Sequence, residues 1–405
     1  MIRTLFITAL LSACIPLAKP ATAAHTKNTG EKGIVTGADQ PELYLPLLKG
    51  KRVGMVVNQT SIIGKKSSVD SLLKSGINVV RIFGPEHGFR GNASNGAKIS
   101  DEKDAQTGLP IVSLYGKKRK PSAEDLQQID VMIFDIQDVG CRFYTNINTL
   151  RDVMEACAEF DKELIILDRP NPNAFVDGPI LDMKNKSGIG QFPVPITHGM
   201  TIGEFAQMIN GEGWLPQKAK CRIRIIPVKN YAHGMAYTLP VFPSPNLNTQ
   251  QSILLYPSLC LFEGTIVSQG RGTDMPFTVL GAPALTGKYA FTFRPESKPG
   301  KSETPLHMNE TCYGLDLRNY DTQALRKTGK INLKWMMDLY RDYPQKAKFF
   351  DRSQSKQMGN IDYLAGVSAF KQQIISGKSE AEIRKSWEPG LSEYKKMRLN
   401  YLLYK

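Results

Sequence analysis

Short apolar runs alternate with amphipathic stretches from about residue 50, and this alternation predicts strands and helices in turn. The predicted strands cover residues 52–57, 79–83, 131–135 and 164–167. The predicted helices cover residues 67–75, 123–129 and 148–160. Strands that are apolar throughout and separated by helices are typical of βαβ units, whose parallel sheet is covered on both faces. The pattern therefore predicts a Rossmann-like parallel-sheet subdomain.

The pattern is less regular after residue 200. A helix is predicted at 201–210, and further strands are predicted at 222–228, 289–294 and 313–317. Residues 231–283 are rich in Pro and Gly and predict shaped loops, whereas the chain from residue 332 onward is mainly helical. Prolines cluster between residues 170 and 200. We therefore predict an α/β protein with a Rossmann-like subdomain at 33–190 and a second α/β (α+β) subdomain at 191–405.

The first 24 residues have the pattern of a secretory leader. Arg3 precedes an apolar run at residues 5–18, and small residues at 21–23 suit a signal peptidase. A second interpretation is a lipoprotein leader, in which Cys14 is lipidated and anchors the protein to a membrane. No later segment is apolar enough to span a bilayer. Both interpretations predict an exported protein that is periplasmic, anchored to the outer membrane or extracellular.

The net charge narrows the range of partners. It is +14 for the whole chain and +12 without Arg3 and Lys19 of the leader. Such a surface attracts an anionic polymer, although scattered lysines also simply keep a protein soluble. Nucleic acid is not expected, because the chain is exported and carries no recognition motif. The cysteines after the leader are sparse, odd in number and without paired spacing, so neither a disulfide framework nor a zinc site is predicted.

Polar clusters follow three of the predicted strands. They lie at residues 84–91, at 135–145 and at 168–172. Ligands bind beyond the carboxyl ends of the strands in an open parallel sheet, so we predict that these three strands are adjacent and expect the clusters to converge at one site. Asp and Asn at such positions also cap helices and turns, and this simpler role suits Asp168.

Glu86 is the strongest candidate for catalysis in the first cluster. It lies in the run Gly-Pro-Glu-His-Gly at residues 84–88, between a proline and glycines, where there is no helix for it to cap. A carboxyl group in a partly apolar site has a raised pKa and can protonate a leaving oxygen. His87 is its rival as a base or ligand. Because no second His or Cys stands at ligand spacing, no metal is predicted.

A second chemical segment lies at residues 263–277. Its glycines allow close approach of a ligand, and Glu263, Ser268, Arg271 and Thr273 offer polar contacts. Its Gly-x-Gly stands in the wrong context for a dinucleotide site, because the residues after the first strand lack the Gly-x-Gly-x-x-Gly fingerprint. No cofactor is therefore predicted.

Together these motifs resemble a known family. The runs at 84–88, at 135–145 and at 168–172, the segment 198–204, the tripeptide 244–246 and the segment 263–277 are similar to the exo-β-N-acetylmuramidases of the NamZ family, in the same order. The resemblance spans residues 33–403. It implies a glycoside hydrolase that removes terminal N-acetylmuramic acid from the non-reducing end of peptidoglycan fragments. It also implies an active site in a cleft between two subdomains, with Glu86 as the catalytic glutamate.

Glycoside hydrolysis commonly uses two carboxyl groups. Asp135, Asp138 and Glu263 remain candidates for the second one on chemical grounds. N-acetylmuramic acid carries a lactyl carboxylate, and Arg142 and Arg271 are the preferred ligands for it because guanidinium binds carboxylate bidentately. The candidate substrate-binding residues are His87, Arg142, Tyr144, Asp168, His198, Asn246, Ser268, Arg271 and Thr273.

Two other functions are weighed against hydrolysis. An NAD-dependent glycosidase is suggested by the Rossmann-like half, but the missing glycine fingerprint argues against it. An exported sugar- or muropeptide-binding protein would need aromatic and amide groups in its cleft and no isolated carboxyl group. Glu86 is the residue that separates binding from hydrolysis.

Overall fold

A computed structural model of the 405-residue chain describes residues 33–85, 89–90, 102–116, 118–351 and 360–405. The proposed leader lies outside the described residues, and so do Glu86 and His87. The strands, numbered in chain order, are β1 Arg52–Val57, β2 Ile62–Ile63, β3 Lys66–Ser67, β4 Asn78–Gly84, β5 Glu102–Lys103, β6 Pro110–Ser113, β7 Val131–Asp135, β8 Glu163–Leu167, β9 Val176–Asp177, β10 Thr197–His198, β11 Arg222–Ile226, β12 Val279–Ala282, β13 Phe291–Phe293 and β14 Cys312–Asp316.

Helices follow most of these strands. They are α1 Pro41–Leu48, α2 Ser68–Lys74, α3 Ala123–Leu126, α4 Asn146–Glu159, α5 Ile202–Gly211, α6 Gln250–Leu259, α7 Thr322–Thr328, α8 Lys334–Asp342, α9 Ile361–Ala365, α10 Ala369–Ile375 and α11 Glu380–Arg398. None of the helices in the described ranges has the length and apolarity needed to cross a membrane.

The main sheet has the order β11-β8-β7-β1-β4-β6-β5. Its pairs are parallel except for β5 with β6 at the edge. Counted along the chain, the six parallel strands follow the order of the Rossmann fold, with a switch point between β1 and β7. The predicted α/β class is confirmed.

Alternating side chains of each central strand enter two separate cores. Met132 and Phe134 of β7 pack with α4 and α5 on one face of the sheet. Val131 and Ile133 of the same strand pack with α1 and α2 on the other face. Because both faces are covered, the strands are apolar along their whole length, which is the feature that made them recognisable in the sequence.

The main sheet extends beyond residue 190, because β11 pairs with β8 over its full length. Residues 34–405 also form one compact unit. The domain boundary therefore stays a prediction. The second half has its own core, which gathers α6, the antiparallel sheet β12-β14-β13 and the C-terminal helices.

The prediction of loops throughout 231–283 is wrong, because this segment contains α6 and β12. Helix α6 carries Pro257 in its interior, and every residue from Ser252 to Leu259 is buried. A helix that is buried all round has no polar face, so it shows none of the 3.6-residue periodicity by which surface helices are recognised. Elsewhere the predicted elements are correct to within a few residues, as with the helix predicted at 148–160 and observed at Asn146–Glu159.

Candidate active site

The switch point of the sheet lies where β1 and β7 run side by side. Asn58 follows β1, and residues 136–146 follow β7 before α4 begins. The carboxyl ends of the strands at a switch point are where open α/β sheets bind ligands. The three predicted polar clusters are not on adjacent strands, however, because β1 separates β4 from β7. This arrangement brings Asn58 into the site, a residue that the sequence did not single out.

A cleft of about 750 Å³ opens at this point, and we call it the main cleft. Its lining comes from both halves of the chain. The lining residues are Asn58, Phe143, Tyr144, Thr145, Asn146, Ile189, Pro243, Ser244, Asn246, Leu247, Tyr256, Cys260, Glu263, Arg271, Phe277 and Leu364. Four of the predicted site residues, Tyr144, Asn246, Glu263 and Arg271, are thus brought together.

Glu263 and Arg271 form an ion pair at the cleft. Nε of Arg271 donates to Oε1 of Glu263 at 2.8 Å, and Nη2 lies 2.6 Å from the same oxygen. The side chains are 12% and 22% exposed, so both reach solvent through the cleft. The Arg271 guanidinium also lies 4.9 Å from the ring centre of Phe277, a cation–π contact that fixes its plane. The cleft therefore presents a carboxylate and a guanidinium held in a defined geometry.

Aromatic rings form the floor of the main cleft. Tyr256 of α6 meets Phe143, Tyr144 and Phe277 edge to face, with ring centres 5.1–5.9 Å apart. The Tyr144 hydroxyl donates to the carbonyl of Pro243 at 3.0 Å. These contacts hold the rings rigidly beside the cleft, and all of them except Tyr144 are almost fully buried.

Asp135 and Asp138 do not line the main cleft. Asp135 is fully buried and accepts a hydrogen bond from Nε of Arg169 at 2.7 Å, while its Oδ2 has no partner among the described residues. Asp138 accepts from the backbone N–H of Gly140 at 2.6 Å, and its Oδ2 lies 3.7 Å from Nε2 of the buried His198. Of the three candidates for a second catalytic carboxylate, only Glu263 therefore faces the cleft.

Asp168 belongs to the framework of the fold. Its Oδ2 accepts from the hydroxyls of Thr201 at 2.7 Å and Tyr404 at 2.6 Å, and its Oδ1 accepts from the N–H of Gly203 at 2.8 Å. Complete burial raises the pKa of this carboxyl to about 6, in spite of its three donors. The simpler role as a capping group applies, and the prediction of a substrate contact is corrected.

Arg142 is also corrected from a substrate ligand to a structural residue. Its side chain is completely buried, and its two Nη groups donate to the carbonyls of Pro179, Val194, Leu364 and Ala365 at 2.7–2.9 Å. Burial lowers the pKa of this guanidinium, because no carboxylate offsets the desolvation. Arg142 ties the segment after β7 to α9, whose Leu364 lines the cleft.

Three further predicted residues, Ser268, Thr273 and Asn246, make hydrogen bonds to backbone groups. The Ser268 hydroxyl accepts from the N–H of Gly270 at 3.2 Å, and the Thr273 hydroxyl donates to the carbonyl of Gly270 at 2.7 Å. Both shape the turn that carries Arg271. Asn246 donates to the carbonyl of Lys301 at 3.0 Å and is 3% exposed, at the edge of the main cleft.

Comparison with known proteins connects this cleft to a family. Residues 53–251 match the family model described as exo-beta-N-acetylmuramidase NamZ, N-terminal. Residues 254–404 match the corresponding C-terminal model. The chain is 37% identical over 421 residues to the peptidoglycan beta-N-acetylmuramidase NamZ of Bacillus subtilis (strain 168), with 98% of each chain covered.

The chain belongs to the NamZ family.

Solved structures from Bacteroides fragilis NCTC 9343 share the fold. One DUF1343 family protein has a TM-score of 0.84 and 45% identity, and a second has a TM-score of 0.78 and 29% identity. Each comparison covers 92% of this chain and 99% of the other. The junction between the two NamZ family models falls at residues 251–254, at the start of α6.

The segment that carries Glu86 is anchored on both sides by described residues. Strand β4 ends at Gly84, whose carbonyl accepts from the N–H of Leu114 at 2.8 Å. On the other side, Phe89 is buried, and Arg90 binds Asp104 through Nε at 2.7 Å and Nη2 at 2.8 Å. This ion pair lowers the pKa of Asp104 to about 2. It therefore persists at neutral pH, four residues from Glu86.

We expect Asp104→Asn to lower kcat/KM of this NamZ family member about tenfold. The variant removes the charge that holds Arg90, which stands four residues after the predicted catalytic residue Glu86, and small displacements of a catalytic group are costly. The measurement is steady-state hydrolysis of a chromogenic N-acetylmuramide.

Asp130→Asn is the matched control, because Asp130 binds Nε and Nη2 of Arg52 in the same way at the opposite, amino edge of the sheet. It should keep kcat/KM within about twofold of the parent, as expected for an exposed ion pair that is far from the site. Equal losses in the two variants would contradict a positioning role for Asp104.

Proposed function

We propose that this protein is an exo-acting β-N-acetylmuramidase, a glycoside hydrolase that releases terminal N-acetylmuramic acid from the non-reducing end of peptidoglycan fragments. The observation that carries this proposal is the main cleft, where Glu263, Arg271 and an aromatic floor meet at the switch point of the sheet. Membership in the NamZ family over nearly the whole chain and the name of the Bacillus subtilis relative support the same activity.

Glu86 has the role of general acid in this proposal. It follows β4, which is the neighbour of β1 in the sheet, and Asn58 at the end of β1 lines the main cleft. Protonation of the glycosidic oxygen by Glu86 allows the bond from that oxygen to C1 of the sugar to break. Positive charge then develops on the sugar ring and needs a carboxylate near it.

Glu263 is the carboxylate that we propose for that second role. It lines the cleft, and its pairing with Arg271 keeps one oxygen in place. Its other oxygen, Oε2, lies 3.9 Å from Sγ of Cys260. Asp135 and Asp138 are less suited, because their side chains are buried and lie outside the lining of this cleft.

Arg271 is the residue that we propose for recognition of the lactyl carboxylate. Glu263 occupies its Nε and Nη2, and its Nη1 has no hydrogen-bond partner among the described residues. An arginine has five N–H donors in a fixed plane, so one guanidinium can hold two carboxylates side by side. This arrangement would distinguish N-acetylmuramic acid from N-acetylglucosamine, which lacks the lactyl group.

We expect Arg271→Ala to lower kcat/KM for a chromogenic N-acetylmuramide by roughly 30- to 100-fold, the effect of losing a charge-assisted hydrogen bond of about 2–3 kcal/mol. The measurement compares this substrate with the corresponding N-acetylglucosaminide. If Arg271 binds the lactyl group, the ratio of kcat/KM for the N-acetylmuramide to kcat/KM for the N-acetylglucosaminide should fall. If Arg271 only positions Glu263, both values should fall by the same factor, and the recognition role would be wrong.

Arg318→Ala is the control for this experiment. Arg318 also binds a carboxylate, Asp316, and also lies over a phenylalanine ring, Phe291, but it is exposed and distant in sequence from the cleft residues. The ratio of kcat/KM for the N-acetylmuramide to kcat/KM for the N-acetylglucosaminide should be the same in Arg318→Ala as in the parent.

We further propose that the reaction takes place outside the cytoplasm, because the first 24 residues have the pattern of an export leader. The mass of the mature N-terminus distinguishes cleavage after Ala23 from lipidation at Cys14. A cytoplasmic protein that retains Met1 would contradict export.

A further inference from the structure

A second cleft of about 740 Å³ adjoins the main cleft. The two share Thr145 and Ile189, so they meet at the start of α4. The second cleft is lined by Leu114, Tyr115, Arg119, Thr145, Asn148, Thr149, Asp152, Gly188, Ile189 and Gln191. Neither Glu263 nor Arg271 lines it.

The order of the sheet places these clefts on either side of β4. Strand β1 is one neighbour of β4, and Asn58 at its carboxyl end lines the main cleft. Strand β6 is the other neighbour, and Leu114 and Tyr115 at its carboxyl end line the second cleft. Gly84 at the end of β4 therefore lies between the carboxyl ends of two strands, and residues that follow each of these strands line one of the clefts.

Glycoside hydrolysis with a general acid needs two saccharide sites side by side. The acid gives its proton to the oxygen that joins the cleaved sugar to the leaving group, so the two saccharides lie on opposite sides of it. When that bond breaks, the leaving saccharide departs with the proton, and water later supplies the hydroxyl at C1 of the released sugar. A site for the leaving saccharide is thus needed beside the site for the sugar that is released.

The lining of the second cleft is suited to neutral hydroxyl and amide groups. The side-chain amide of Gln191 makes no hydrogen bond within the described residues. Asn148 is 5% exposed and donates to the carbonyl of Gly188 at 2.9 Å, while its Oδ1 has no partner. A buried acceptor without a donor costs free energy until a ligand or water supplies one. Leu114 and Ile189 also line the cleft, but both side chains are buried.

The charges of this cleft argue against an acidic peptide as its occupant. Arg119 is exposed, and the carboxylate of Asp152, which lies beside Arg151, is also part of the surroundings. Arg119, Arg151 and Asp152 together carry a single net positive charge, which gives only weak attraction to a peptide that carries several acidic groups.

We propose that the second cleft is the subsite for the leaving saccharide and binds an uncharged N-acetylhexosamine through Gln191, Asn148 and Thr149. This inference rests on the proposed function. The inference goes beyond the proposed function because it assigns the residues that hold the part of the glycan that remains after cleavage.

The test compares two substrates of the full-length enzyme. One is the disaccharide of N-acetylmuramic acid β-linked to N-acetylglucosamine, and the other is 4-nitrophenyl β-N-acetylmuramide, whose leaving group is not a sugar. We expect Gln191→Leu to lower kcat/KM roughly 5- to 10-fold more for the disaccharide than for the aryl glycoside, which corresponds to the loss of about one hydrogen bond. Thr149→Val should also lower kcat/KM more for the disaccharide than for the aryl glycoside.

Gln127→Leu is the control, because Gln127 lies in a separate groove beside Phe160 and Lys162. It should leave the ratio of the two kcat/KM values unchanged. If Gln191→Leu and Thr149→Val change both substrates equally, or neither, the subsite assignment is overturned while the proposed function stands. If the two variants lower kcat/KM only for a disaccharide that carries a peptide, the subsite assignment is also overturned, and the second cleft is a peptide site. If the parent hydrolyses neither substrate, the proposed function itself fails.

Discussion

Replacement of Glu86 by Gln is expected to lower kcat for N-acetylmuramide hydrolysis by about 10²- to 10⁴-fold, the usual contribution of a general acid. The amide keeps the size of the side chain but has no proton of suitable pKa to give to the leaving oxygen. Binding should persist, because the residues that line the main cleft are unchanged. The measurement combines turnover of the chromogenic substrate with calorimetric titration of the disaccharide.

This variant also separates hydrolysis from the alternative of an exported sugar-binding protein. A binding protein would show no turnover in the parent and the same affinity in both forms. Glu42→Gln is the matched control, since Glu42 is exposed on α1 and should leave kcat within about twofold of the parent, as is usual for a surface substitution away from the site. Turnover by Glu86→Gln at the rate of the parent would contradict the assignment of the acid.

Arg142→Ala is expected to lower the free energy of unfolding by roughly 3–5 kcal/mol, because it leaves buried carbonyls without donors and opens a cavity. The side chain is completely buried and supplies donors to four carbonyls in three segments of the chain. Gly366 touches the guanidinium so closely that a Cβ there would lie 2.5 Å from Nη2. Denaturant unfolding, followed by circular dichroism, measures the loss.

Arg81→Ala is the control for this prediction. Arg81 also donates to backbone carbonyls, those of Glu124 and Asp125, but it is partly exposed and water can replace it. Its loss should cost at most about 1 kcal/mol. If Arg142→Ala unfolds within about 1 kcal/mol of the parent and loses activity instead, Arg142 acts on substrate, and the structural role is wrong.

The sequence predicted the sheet well because its central strands are apolar on both faces. The glycine-rich segment at 263–277 was enough to single out Glu263 and Arg271, which lie only eight residues apart and line the main cleft. The order of the strands depends on contacts between distant parts of the chain, so the position of β1 between β4 and β7 could not be read from the pattern. For this reason Asn58 was missed.

Some of the predicted polar residues stabilise the fold and others line the cleft. Only the packing of the folded chain shows which residue does which. Arg142 and Arg271 look alike in the sequence, since each has a glycine one or two residues before it and stands near polar residues. The first is surrounded by backbone carbonyls, whereas the second pairs with Glu263 at the surface of the cleft. Tyr256 was missed for another reason: it lies on α6, whose complete burial conceals its helical period.

The most direct test of the proposed function is product analysis on two disaccharides that differ only in the order of their sugars. In one, N-acetylmuramic acid is at the non-reducing end and β-linked to N-acetylglucosamine, and in the other the order is reversed. We predict that mass spectrometry finds both monosaccharides from the first disaccharide and none from the second. Cleavage of the reversed disaccharide, or of neither, would contradict an exo-acting β-N-acetylmuramidase.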